Sequence, residues 1–189
     1  LNKGTRKEIR MAGFGGQGIV LSTVIMGRAV AMYMGMHAAV MESYGPESRG
    51  GACTGGVVID EEPVDYPYVV SPDILMVMSQ EAYTKFGGTV EAGGILIVDE
   101  DLVELSGGDR AKVFRVPATR MAESLGKKIV ANIIMLGAFT GLSDIITFEA
   151  MKKAILAMVP PHTRDLNQKA VLQGYEYGLK LKTGVEVAP

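Results

Sequence analysis

The order of apolar and polar residues along the chain sets short runs against long ones. Glu8-Ile9-Arg10-Met11-Ala12 is brief and mixed, as a strand is, whereas Ile19 to Met36 is apolar-rich at helical spacing and has Gly35 as its stop. His37–Met41 and Ala52–Ile59 predict two further strands, the second weakened or bulged at Gly55-Gly56. Asp73–Met78 and Gly94–Asp99 are compact apolar runs of the kind found in strands buried on both faces of a parallel sheet. Between them Ser79 is suited to cap a short helix, Gln80–Phe86, closed by Gly87-Gly88. Tyr66–Val70 reads as irregular or as an edge strand, since Pro67 lacks a ladder donor. Lys112–Val116 alternates and ends at Pro117. From Ala118 the period becomes helical, over roughly 118–125, 130–140, 147–158 and 164–180, with Thr147 and Thr163 as caps.

Strands alternating with helices predict a three-layer α/β fold with a mainly parallel sheet and a helical C-terminal third. No helix-length segment separates Ile59 from Asp73, so some antiparallel pairing is expected there. The 189 residues suit one domain over 1–189 with a real core. A net charge of −2 argues against nucleic-acid or anionic-membrane partners, which demand clustered basic surface. Arg28, Ser22, Thr23, Gly27 and Gly35 interrupt the first apolar stretch and make it a buried helix, with no membrane span. The lone cysteine, Cys53, cannot by itself hold a cluster or a structural zinc, and a reduced, cytoplasmic setting is expected. His37 and His162 show no metal-ligand spacing, so no metal site is expected. The methionines Met26, Met32, Met34, Met36 and Met41 read as core or subunit contact.

Gly13-Phe14-Gly15-Gly16-Gln17-Gly18 stands between the first strand and the first helix. Four glycines in six residues bare the backbone, and the first N–H groups of a helix lack internal partners, so the turn can accept an anion. Gly13-x-Gly15-x-x-Gly18 also satisfies the dinucleotide fingerprint, and Glu42 lies 24 positions past Gly18, where a ribose-binding carboxylate is expected. A stand-alone NAD-binding oxidoreductase is therefore one reading. A tight turn that only lets helix and sheet pack closely is another. After the second strand comes Ser43-Tyr44-Gly45-Pro46-Glu47-Ser48-Arg49-Gly50-Gly51. Loops at neighbouring carboxyl ends share one crevice in a doubly wound sheet, which would bring Arg49, a bidentate phosphate ligand, near the Gly-rich turn. Glu47 suits holding Arg49, or else is a solvated charge.

These two stretches together resemble the gamma subunit of the 2-oxoacid:ferredoxin oxidoreductases. Ser71-Pro72-Asp73-Ile74-Leu75-Met76 and Ala131-Asn132-Ile133-Ile134-Met135-Leu136-Gly137-Ala138 extend the resemblance over roughly residues 8 to 175. Tyr44-Gly45-Pro46-Glu47-x-Arg49-Gly50-Gly51 is closer to the 2-oxoglutarate and indolepyruvate types than to the pyruvate type. Cys53-Thr54-Gly55-Gly56 and Asp60 depart from the family's serine-containing strand ends. The resemblance implies an enzyme complex that decarboxylates a 2-oxoacid on thiamine diphosphate, passes electrons through iron–sulfur clusters to ferredoxin, and forms an acyl-coenzyme A. Thiamine diphosphate, Mg and the clusters would sit on partner alpha, beta and cluster-bearing subunits, because this chain lacks the cysteine sets and the Gly-Asp-Gly motif. Gly107-Gly108-Asp109-Arg110 is only superficially like that motif and reads as a polar turn. The chain would be non-catalytic alone and would help bind coenzyme A through Gly13, Gly15, Gly16, Gln17, Gly18, Tyr44, Glu47, Arg49 and Gly50. A purely structural subunit is the remaining alternative, and a homodimer of the isolated chain stays open. Cys53 reads as an inert small hydrophobe, with a reactive thiol as its alternative, and His162 and Asn132 read as a loop residue and a satisfied core polar group.

Overall fold

The computed structural model describes residues 5–43, 52–108 and 110–184. Six strands form one sheet: β1 (Lys7–Phe14), β2 (His37–Ser43), β3 (Ala52–Asp60), β4 (Ile74–Val77), β5 (Ile95–Asp99) and β6 (Lys112–Val116), in the order β2-β3-β1-β4-β5-β6. The β1–β4, β4–β5 and β5–β6 pairs are parallel. β3 runs antiparallel to both of its neighbours, so it alone opposes the common direction. The mainly parallel sheet with antiparallel pairing around Ala52–Ile59 is as expected.

Six helices cover the sheet: α1 (Ile19–Tyr33), α2 (Gln80–Phe86), α3 (Ala118–Ser124), α4 (Ala131–Leu142), α5 (Phe148–Met158) and α6 (Arg164–Thr183). Alternation along the strands sorts them into two cores. Ile9, Met11, Ile74, Met76 and Ile97 face the layer of α1, α3, α4, α5 and α6. Ala12, Leu75, Val77, Leu96 and Val98 face α2 through Ala82 and Tyr83. The period of two thus divides continuous apolar runs between two helical layers of very unequal size.

Close approaches govern the helical side. A Cβ on Gly55 would lie 2.5 Å from the Thr23 side chain on α1, and one on Gly56 would lie 2.8 Å from Val69 on the opposite face. Gly55-Gly56 therefore marks two faces approached at once. The predicted bulge is absent: β3 pairs in unbroken register with β1 and β2 through both glycines. All twelve residues of α4 are buried. It meets α6 backbone to backbone, through Gly137 and Gly141 on one side and Gly174 and Gly178 on the other; a Cβ on Gly174 would come within 2.1 Å of the Ile134 carbonyl oxygen. Small residues four apart on both helices permit this approach, the packing device known from membrane helices. None of the helices among the described residues is long and apolar enough to cross a membrane.

Ends follow local chemistry. Ser79 accepts the Ala82 N–H at 3.2 Å and Thr147 accepts the Ala150 N–H at 3.3 Å, as expected of N-caps. Thr163 does not cap α6. Its hydroxyl donates back to the Pro160 carbonyl at 2.9 Å, inside a 3₁₀ turn that already leads into the helix. The first helix stops at Tyr33, three residues short of Met36, and Gly35 at φ 69° turns the chain into β2. Of the five methionines singled out above, Met26 is buried in the core, Met34 and Met36 pack against it, Met41 is half-buried on β2, and Met32 is exposed. Tyr66–Val70 is irregular rather than a strand.

Candidate functional site

The Gly-rich turn joins the carboxyl end of β1 to α1, and Gly13, Gln17 and Gly18 each have a separate physical duty in it. Gln17 is the brace. Its Oε1 accepts the Phe14 N–H at 2.6 Å and its Nε2 donates to the Met78 carbonyl at 2.7 Å, tying the turn to the end of β4. Gly13 lies under this amide, since a Cβ there would meet Gln17 Oε1 at 2.5 Å. Gly18 takes the left-handed conformation at φ 75°, and a Cβ would fall 2.4 Å from Asn132 Nδ2. Asn132, the second residue of α4, donates to the Gly18 carbonyl at 3.3 Å and to Ser22 Oγ at 3.2 Å. Gly16 is also left-handed, at φ 96°. Gly15 differs: its φ is ordinary and nothing lies within 4 Å of where its Cβ would be. No internal packing calls for glycine there.

α1 opens without a side-chain cap and without an acidic residue in its first turn. The Gln17 N–H is used by the Phe14 carbonyl at 3.2 Å. The N–H groups of Gly15, Gly16 and Gly18 take no acceptor among the described residues. A fifteen-residue helix thus presents its positive end, with bare amides in front of it, to whatever occupies the adjoining space. That space is a cavity of about 320 Å³ whose lining includes Gly16, Gln17, Met78, Thr119, Lys128 and Ile129. It lies where the crossovers diverge, α1 leading from β1 towards β2 and α2 from β4 towards β5, which is the switch point at which open α/β sheets bind ligands.

The electrostatics of the cavity wall are mostly settled internally. Lys128 is held by Glu123 at 2.5 Å, and that bond raises the ammonium pKa. Asp99, at the carboxyl end of β5, is fully buried. Burial pushes its carboxyl above the ordinary value, although Thr119 Oγ1 donates to it at 2.6 Å and the Asp101 N–H at 3.2 Å. Thr119, which lines the cavity, thus has its hydroxyl committed to Asp99. Thr119, Lys128 and Ile129 were not anticipated as site residues. Nothing in the sequence ties the segment before α4 to the Gly-rich turn; the Asn132 contact does so only in three dimensions.

The predicted residues separate into three groups. Gly13, Gly15, Gly16, Gln17 and Gly18 are together in one turn, of which Gly16 and Gln17 line the cavity, though the side chain of Gln17 serves the turn itself. Tyr44, Glu47, Arg49 and Gly50 lie outside the described residues, as do Gly45, Pro46, Ser48 and Gly51; the strands on either side of them end at Ser43 and begin at Ala52. Glu42 is displaced from its expected place. β3 intervenes between β2 and β1, and Glu42 pairs with Gly55, whose partner on β1 is Met11. Two strand spacings, about 9.5 Å, separate its backbone from β1, at the level of the strand body and short of the glycines. A ribose-binding carboxylate requires the strand adjacent to β1, so the dinucleotide geometry fails here.

Cys53 is opposite Gly13 in register, packs against the larger core, and has its thiol pKa pushed up by burial, which keeps it protonated and unreactive. Asn132 is the satisfied core polar group expected of it. His162 sits exposed in the 3₁₀ turn before α6. Gly107 and Gly108, both at positive φ, stand before β6, while Asp109 of the predicted polar turn lies outside the described residues. Among the described residues no cluster of three His, Cys, Asp or Glu is placed to hold a metal ion.

Comparison with known proteins agrees with this geometry. The pyruvate ferredoxin/flavodoxin oxidoreductase family matches residues 8–177. The chain is 49% identical over 179 residues to the 2-oxoglutarate synthase subunit KorC of Methanocaldococcus jannaschii, covering 93% of this chain and 96% of the relative. Among solved structures it superposes on a keto/oxoacid ferredoxin oxidoreductase gamma subunit from Geobacter sulfurreducens with a TM-score of 0.83 and 38% identity, over 92% of this chain and 98% of the other. It shares its fold, with a TM-score of 0.82 at 20% identity, with part of a 2-oxoglutarate:ferredoxin oxidoreductase from Magnetococcus marinus that holds 2-oxoglutarate, coenzyme A and succinyl-CoA; the match spans 97% of this chain and 32% of that one. On these matches the chain belongs to the pyruvate ferredoxin/flavodoxin oxidoreductase family, as a gamma subunit of an oxoacid:ferredoxin oxidoreductase.

Proposed function

We propose that this chain is the coenzyme A-facing subunit of a 2-oxoglutarate:ferredoxin oxidoreductase, folded as one domain over residues 1–189 and operating in the cytoplasm. The observation that carries the reading is the uncapped N-terminus of α1, beside a cavity, with the amides of Gly15, Gly16 and Gly18 unpaired among the described residues. Such a terminus favours an anionic group by about 0.3–1 kcal/mol per contact, and up to about 2 where partly buried. The diphosphate and 3′-phosphate of coenzyme A supply that charge. Phe14 pairs with Ala52, so β3 begins beside the start of the Gly-rich turn. Arg49, three residues before Ala52, is then the side chain to clamp a phosphate. Relatives named as 2-oxoglutarate synthase subunits support that oxoacid.

Bound coenzyme A supplies a thiol that accepts the acyl group; this chain's residues only bind and orient the cofactor's charged end. The donors for thiamine diphosphate, Mg and iron–sulfur clusters belong to alpha, beta and cluster-bearing partner subunits, which relay electrons to ferredoxin. Arg49→Ala in the assembled complex should raise the KM for coenzyme A about ten- to a hundredfold, the equivalent of a charged hydrogen bond of roughly 1.5–3 kcal/mol, while oxoacid decarboxylation slows far less. Wild-type coenzyme A kinetics in that variant would remove Arg49 from the site. A purely structural subunit would instead lose complex yield with no change in KM.

A further inference from the structure

On the sheet face opposite the Gly-rich cavity, a second cavity of about 430 Å³ opens between β1, β3, the edge strand β2 and α2. Its floor is built by register. Arg10 lies directly across from Gly56, and Ala12 from Thr54, so Arg10 and Thr54 project from the same face. Arg10 is half-buried, and its guanidinium donates to Thr89 Oγ1 at 3.0 Å and to the Val69 carbonyl. Both acceptors are neutral. Two of its five N–H donors are taken, and three remain. Desolvation lowers the pKa of this guanidinium, and Glu8, whose charge offsets part of the effect, is itself bonded by Arg6 and by the Val70 N–H.

A second cation stands at the same opening. The Lys85 ammonium lies 5.4 Å from the centroid of the Phe86 ring, and the Arg10 guanidinium carbon 5.6 Å from it. Neither forms an ion pair among the described residues. Thr54 is 8% exposed, lines the cavity, and its hydroxyl has no hydrogen-bond partner among the described residues. Glu42 at the rim carries the opposing charge, which leaves the lining net positive by one. Tyr68 and Phe86 add aromatic surface.

We propose that this cavity is an oxyanion site, in which a phosphate or carboxylate head is held by Arg10, Lys85 and Thr54 and a planar body rests against Tyr68 and Phe86. A part-buried cation outside any ion pair among the described residues, a second cation and an unused hydroxyl, all on one cavity, are the donor set such a head requires. The site shares no lining residue with the cavity at the Gly-rich turn and does not depend on the coenzyme A reading.

Titration calorimetry of the 189-residue chain with phenyl phosphate, benzoate and inorganic phosphate tests it. Saturable binding of phenyl phosphate or benzoate near the millimolar range is expected, weakened about three- to tenfold in both Lys85→Gln and Thr54→Val. The tighter of the two probes identifies the head group, and weaker binding of inorganic phosphate assigns the aromatic walls to a ligand body. Thr54→Val keeps the side-chain shape and breaks no described hydrogen bond, so it separates binding from folding, which Arg10→Gln would not. No saturable binding up to about 10 mM, or wild-type affinity in both variants, overturns the proposal.

Discussion

Gly18 and Gly15 are three residues apart in one turn, yet the structure assigns them opposite sensitivities. Gly18→Ala places a Cβ on a left-handed residue, at a cost of about 1–2 kcal/mol, and drives it to 2.4 Å from Asn132 Nδ2. Asn132 must then give up its bonds to the Gly18 carbonyl and Ser22, each worth about 0.5–1.5 kcal/mol. The sum is about 2–5 kcal/mol. For a chain of this size it lowers Tm by roughly 5–15 °C. Gly15→Ala meets nothing within 4 Å at an ordinary φ, so its stability should stay within about 0.5 kcal/mol of wild type, or rise slightly because the unfolded chain is stiffened. Thermal unfolding of the two variants followed by circular dichroism gives the comparison. A Gly18→Ala protein that melts with wild type would refute the close packing of Asn132 on the turn. Gly15→Ala also bears on function, because a bare backbone with no internal need for it is what a ligand approaching the amides requires. In the assembled complex this variant should raise the KM for coenzyme A while its melting curve is unmoved.

Removing the brace with Gln17→Ala strands the Phe14 N–H and the Met78 carbonyl, and should cost about 1–3 kcal/mol in urea unfolding; an unchanged midpoint would show that the two bonds are dispensable. Gly174→Ala pushes a methyl to 2.1 Å from the Ile134 carbonyl oxygen, where backbone and not a flexible side chain must yield, so about 3 kcal/mol or more should be lost, seen as a lower unfolding midpoint or insoluble chain. Asp99 gives a pH dependence whose sign is fixed by its raised pKa. Between the ordinary aspartate value and the higher folded value the native state binds the extra proton, so stability falls as pH rises through that window. Asp99→Asn should therefore gain relative to wild type from acid towards neutral pH, and parallel stability curves for the two proteins from pH 4 to 8 would contradict the assignment.

The elements were legible where the signal is local. Period-two and 3.6 patterns, Ser79 and Thr147 before their helices, and Pro117 after β6 all act through neighbours in the chain. What lay beyond reach was adjacency. Apolar runs announce strands but not their order, and insertion of antiparallel β3 between β1 and β2 is what moves Glu42 away from the glycines. Gly55-Gly56 misled for a related reason: a missing side chain says that something is close without saying what, and only the packing identifies Thr23 and Val69. The glycines four apart in α4 and α6 were visible in the sequence, but pairing them needs the two helices side by side. Thr163 failed as a cap because the chain before it already coils, which gives its hydroxyl a nearer acceptor in Pro160.

The commitment of the turn's side chains also limits what it can recognise. Gln17 and Asn132 are consumed in holding the backbone, so the turn offers a phosphate three amides and a helix dipole and nothing that reads the rest of a molecule. Donors of that kind bind any anion of the right size with similar strength. Discrimination between coenzyme A and another phosphate must therefore come from side chains facing the crevice. Lys128 is already held by Glu123 and Thr119 by Asp99, while Ile129, 76% exposed, has apolar surface to offer and no polar group. On the proposed function, selectivity would then fall to the segment from Tyr44 to Gly50 and to surfaces supplied by other subunits. On that proposal, a rigid, indiscriminate anion cradle on this chain would be completed by selective groups from elsewhere, each supplying half of one binding site.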